Sequence, residues 1–105
     1  MSLQLVPVDA QDFQYDDWGT LKATVSHEFE TDILVASAAL QGWGVSYEEE
    51  HNHNFHKAAA EIGDIVVTGN KITCKVTLHL DNRTDEQIST YFSKARVLFI
   101  ADCEN

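Results

Sequence analysis

The sequence predicts an all-β domain, an antiparallel β-sandwich or jelly roll of about six to eight strands. Three observations lead there. Two long segments alternate apolar and polar residues, a Gly-Asn pair links two β-rich runs, and no long amphipathic helix separates the strand candidates, which recur roughly every 10 to 15 residues. The 105 residues fit a single domain spanning 1–105. Such a chain can bury a core unaided, since disulfide or metal staples become usual only below about 40 residues. A composition of 44% hydrophobic and 23% charged residues is that of a globular protein, not a disordered one. One proline, Pro7, and five glycines leave no room for a flexible linker.

The elements follow in chain order. From Thr20 to Glu30 the apolar face reads Leu21, Ala23, Val25, His27 and Phe29, with polar residues between, which is a half-buried strand. The run Ile33–Leu40 is almost wholly apolar and predicts a strand covered on both faces or a short buried helix. Tyr47–Ile62 mixes helix formers with a period-two face of His56, Ala58, Ala60 and Ile62, and reads as a loop followed by a strand. Asp64–Thr68 is a short strand, joined through Gly69-Asn70 to a second alternating strand. Both turn residues tolerate positive φ, so the link predicts a tight hairpin flanked by Thr68 and Lys71. In that next strand, Lys71–Leu80, the residues Ile72, Cys74, Val76, Leu78 and Leu80 face inward. Asp81–Gln87 is a polar loop, and the compact apolar run Ala95–Ala101 predicts a central strand.

Charge narrows the partners. Seventeen acidic against seven basic residues give a net charge of −10. Nucleic acid, which needs clustered Lys and Arg, is excluded, and an anionic membrane surface is disfavoured for the same reason. The N-terminus shows neither a basic nor an apolar signal region, and no apolar run approaches the roughly 20 residues of a membrane span. Cys74 and Cys103 form neither a CxxC pair nor a disulfide framework. The cytoplasm is the default location, although a protein exported without a cleaved signal would look the same.

The densest polar cluster is His51-Asn-His53-Asn-Phe-His56, preceded by Glu48-Glu49-Glu50. On an extended chain His51 and His53 point the same way with Glu49 on that face, and His79 is available as a third imidazole. These residues could hold a divalent metal such as zinc or nickel, against the plainer reading of a solvated polar loop. The HxH spacing resembles the first motif of the cupins, which implies a jelly-roll metal protein. Here the following glutamate, Glu61, stands farther along the chain than that motif places it, and no proline-bearing turn introduces His79.

Elsewhere His27 reads as a core histidine satisfied by a backbone carbonyl, Cys74 as inert packing, and Cys103 as a free thiol near an exposed end. No GxSxG, HExxH or phosphate-cradling glycine loop supports catalysis. Trp43, set between Gly42 and Gly44, either packs in the core with Val45 and Tyr47 or offers its ring for stacking on a sugar. Asp81 and Arg83, in the polar segment after the Lys71 strand, are candidate anchors for hydroxyl groups or simply a hydrophilic turn.

Phe29, Ile33–Leu40 with Gly42-Trp43, Ile65–Thr68 before Gly69, Val76–Leu80 and Ala95–Asp102 together resemble the H-type lectins. Phe99-Ile100 stand where that family usually has a tryptophan. The resemblance implies a small sandwich that trimerises and binds N-acetylgalactosamine-type sugars between subunits. The expectation is therefore a non-catalytic, lectin-like carbohydrate-recognition module. Trp43 would stack on the ligand, while His51, His53, Asp81 and Arg83 would anchor it. Self-association as a homo-oligomer, a trimer favoured over a dimer, would cover the two apolar runs. The alternatives are a structural subunit of a phage- or secretion-type assembly and a cupin-like metal-binding protein.

Overall fold

The alternating segments meet across one shared interior. In the computed structural model, which describes residues 2–17, 19–45, 55–82 and 93–105, the strands are β1 (Ser2–Asp9), β2 (Gln14–Asp17), β3 (Thr20–Glu28), β4 (Ile33–Gly44), β5 (Phe55–Thr68), β6 (Lys71–Asn82) and β7 (Lys94–Cys103). They form two antiparallel sheets, one ordered β1-β7-β4 and the other β2-β3-β6-β5. The described residues contain no helix. The protein is an all-β sandwich.

The core consists of the odd residues of β3 and β7 and the even residues of β6. Leu21, Val25, Ile72, Val76, Leu78, Val97 and Phe99 are all buried between the sheets. Each such side chain contributes about 1.5–3 kcal/mol through removal from water, so the interior rests on the three central strands. Edge strands add half-buried residues, among them Val6, Val8, Leu40, Ala60 and Ile62. Phe13, in the passage from β1 to β2, closes the interior from one end.

The hairpin at Gly69-Asn70 forms with Thr68 opposite Lys71. Only Gly69 has positive φ, at 60°, the arrangement expected when glycine takes the first central position of a type II′ turn. Asn70 has a different use. Its side-chain amide donates to the Phe29 carbonyl at 2.7 Å, while the Phe29 amide donates to the Asn70 carbonyl at 2.8 Å. The Ile33 amide also donates to the Gly69 carbonyl at 2.9 Å. The turn therefore clamps the crossover that carries the chain from β3 in one sheet to β4 in the other.

Several sequence expectations change. Ile33–Leu40 is neither a helix nor covered on both faces: it belongs to an edge strand, with Leu34 and Val35 exposed. Ala95–Ala101 is a central strand as expected, yet its outward residues Leu98 and Ile100 are only half-buried, because no further layer among the described residues covers that side. Asp64–Thr68 is not a separate strand. It continues β5 across a bulge between Gly63 and Val66, where Asp64 takes a positive φ of 51°. β1 carries no alternation signal pointing the right way, for its stronger apolar residues, Leu3 and Leu5, face out while Val6 and Val8 face in. Pro7 fits there because an edge strand can lack one amide donor.

Candidate functional site

The outer face of the β1-β7-β4 sheet is a ladder of cross-strand rows. From one end the rows read Leu3–Asp102–Val35, then Leu5–Ile100–Ser37, then Pro7–Leu98–Ala39. The next row is Asp9–Arg96–Gly42, followed by Lys94 opposite Gly44. An apolar strip thus gives way to charge at the end where β1 and β4 finish and β7 begins.

At that charged end lies an open cleft of about 590 Å³, within the range of small-ligand sites. The geometry follows from three local features. Gln41 is the extra residue of a bulge in β4, between the Leu40–Val97 and Gly42–Arg96 pairs, so its amide is set apart from the regular ladder. Gly42 leaves the floor bare, since a Cβ built on it would meet nothing within 4 Å. The stem of Lys94 crosses Gly44, its Cε 3.6 Å from where a Cβ would stand.

Trp43 lines this cleft and is 43% exposed, so the expectation of a buried core tryptophan is overturned. Trp43 pairs with the inward-facing Ala95, so it leaves β4 on the inner side at the end of the strand, while its neighbours Gly42 and Gly44 stand opposite the outward Arg96 and Lys94. Arg96 donates from Nε to Asp9 Oδ1 at 2.8 Å. The guanidinium holds the Asp9 carboxyl below its usual range, chiefly through that hydrogen bond and then through its charge. Gln11 adds a second amide to the lining. The lining gathers an aromatic residue, two amides, a carboxylate and two cations at the end of β4, with Trp43 on the inner side of the strand and the cations on the outer, which suits a hydroxylated ligand that reaches around the strand end.

Of the residues singled out in sequence, Trp43 alone is placed in this cleft. Glu49, His51, His53 and Arg83 lie outside the described residues, and Asp81 is the next-to-last residue of β6. His79 is half-buried, its Nδ1 2.9 Å from Thr20 Oγ1, so one ring nitrogen is already engaged within the four-stranded sheet. Among the described residues no group of three or more His, Cys, Asp or Glu side chains is placed to hold a metal. His27 is half-buried and sets its ring edge-on to Phe29, centroids 4.8 Å apart. Both cysteines are free and buried, including Cys103, because the C-terminal strand runs through the middle of its sheet to the end. Burial pushes the Cys74 thiol up, consistent with inert packing.

Sequence reasoning missed Asp9, Gln41, Lys94 and Arg96. Lys94 and Arg96 did carry a signal, as two cations two apart on one strand face in a chain with only seven basic residues. The class these observations define is an antiparallel β-sandwich, of seven strands among the described residues, with an end cleft. Comparison with protein-family models, with curated proteins and with solved structures finds no match.

Proposed function

We propose that this domain is a non-catalytic, oligomeric binding module that recognises a saccharide in the Trp43 cleft. The observation that carries the reading is the half-exposed Trp43 ring in a cleft that also presents Gln11, Gln41 and the Asp9–Arg96 pair. Pyranose rings place apolar C–H faces on aromatic rings and exchange hydroxyl hydrogen bonds with amides, carboxylates and guanidinium groups. A glycan array probed with the wild-type domain and with Trp43→Ala tests it: binding by the wild type and its loss in the variant support the reading, and silence from the wild type overturns it.

The oligomeric part of the reading is supported by Leu3, Leu5 and Val35, which are 69%, 60% and 65% exposed around Leu98 and Ile100 on one sheet face. A second copy of the chain presents the same strip, apolar apart from Asp102 at its Leu3 end, and two such faces can pack as self-complementary surfaces. Light scattering that returns the 11.8 kDa mass of one chain at micromolar concentration would remove this part. The same strip favours a second reading, a structural subunit of a larger assembly, if self-association is found without any glycan ligand.

A further inference from the structure

We infer that the cleft selects saccharides bearing a carboxylate, uronic or sialic acids, over their neutral counterparts; this rests on the saccharide reading above. The chain as a whole carries −10, yet among the described residues that line it the cleft gathers Lys94 and Arg96 against one carboxylate, Asp9, an excess of one positive charge. A protein so acidic repels anionic ligands in general, so a cationic pocket on it marks where an anion is admitted.

The two cations are also free to act. Lys94 makes no ion pair with any described residue, in contrast to Lys22 with Asp16 at 3.3 Å and Lys75 with Asp64 at 3.7 Å. Arg96 meets Asp9 through Nε, one of the five N–H donors of a guanidinium. Its terminal nitrogens retain the fork that matches a carboxylate in two parallel bonds. Asp9 thereby orients the fork rather than occupying it.

The bare backbone completes the argument. Gly42 lies directly opposite Arg96, and Gly44 opposite Lys94, so no β4 side chain stands between the cations and an incoming ring. A sugar carboxylate can settle by Gly42, near Lys94 and the Arg96 fork, while Gln41 and, around the end of β4, Trp43 remain for the ring and its hydroxyls. A neutral sugar would leave both cations solvated and gain only the stacking and amide contacts.

The test is an NMR titration at low salt of the whole domain with matched glycosides: methyl glucuronide against methyl glucoside, methyl galacturonide against methyl galactoside, and methyl sialoside. Charge-assisted hydrogen bonds predict at least about tenfold tighter binding of one acid than of its neutral partner. That ratio should fall toward one in Lys94→Gln and with added salt, but persist in Lys71→Gln at the far end of the sandwich. The sialoside, set beside the two uronides, identifies which acid the cleft takes. Equal affinity for acids and neutral sugars, or a ratio untouched by Lys94→Gln, overturns the inference while leaving the saccharide reading standing. Sodium acetate binding as tightly as the best acid would also overturn it, by showing a site for bare anions. If no glycoside binds, both readings fall together.

Discussion

The two sheets bury their inner faces against each other but present opposite outer faces. Across β2-β3-β6-β5 the outward rows include Glu28–Lys71–Thr68, Ser26–Thr73–Val66, Thr24–Lys75–Gly63 and Lys22–Thr77–Glu61, polar for the most part with the exposed Val66 among them. Across β1-β7-β4 they read Leu3–Asp102–Val35, Leu5–Ile100–Ser37 and Pro7–Leu98–Ala39, apolar around the one charge of Asp102, before the charged Asp9–Arg96 pair. Stability asks only that the inner faces be apolar; a sheet that meets water on its other side is free to be polar there. A largely apolar outer strip is thus a departure that folding alone does not require, and the cleft stands at the end of that same sheet. The contrast separates a sheet built to be solvated from one built to be touched.

The largest effect should come where the two sheets do not differ. Phe99→Ala in β7 and Leu78→Ala in β6 both empty fully buried space. They should cost about 3–5 and about 2–5 kcal/mol respectively, read as a lowered urea midpoint at unchanged slope. A much smaller loss for Leu78→Ala would break the picture of one interior shared equally by both sheets.

Outer-face substitutions should sharpen the contrast. Leu5→Lys and Thr24→Lys each alter an exposed position and should change the stability of a single chain by no more than about 0.5 kcal/mol. Only Leu5→Lys should lower the mass seen by light scattering. Dissociation by Thr24→Lys instead would place the contact on the polar sheet.

Cys74 gives a pH-dependent test on the four-stranded sheet. Its folded-state pKa is raised by burial, so the folded chain holds the thiol proton more tightly than the unfolded chain does. That stabilisation is complete below the unfolded thiol value, about 8.5, and is lost as pH rises from there through the folded value. Urea midpoints should therefore fall on the alkaline side in the wild type, and fall less steeply in Cys74→Ala.

The smallest effect belongs to the three-stranded sheet. The Asp9 carboxyl is held low by Arg96, so the pair adds stability only above the unfolded carboxyl value, about 3.9, and loses it as pH falls through the lowered folded value. Both side chains are more than half exposed. Water and salt screen such a pair, and Arg96→Gln should leave the neutral-pH midpoint close to that of the wild type. A marked loss would mean that Arg96 is structural and not poised for a ligand.

Period-two patterning was enough to determine β3, β6, their inward residues and the hairpin between β5 and β6, because a residue facing a dry interior must be apolar whatever the strand order. The same rule explains what it could not determine. In β1, β4 and β7 the outer face is also apolar, so alternation vanishes and with it any sign of which side faces in. The bulge at Gln41 and the bare glycines have no composition signature that distinguishes a cleft from a turn. Trp43 was legible as a residue of interest, but its exposure at the end of β4 is a property of the tertiary structure. Asp9 and Arg96 stand 87 residues apart and meet only because β1 and β7 pair in one register. Sequence determined a sandwich and most of its interior; tertiary structure alone decided the cleft, because a binding site is made of residues brought together by pairing, which local patterning does not encode.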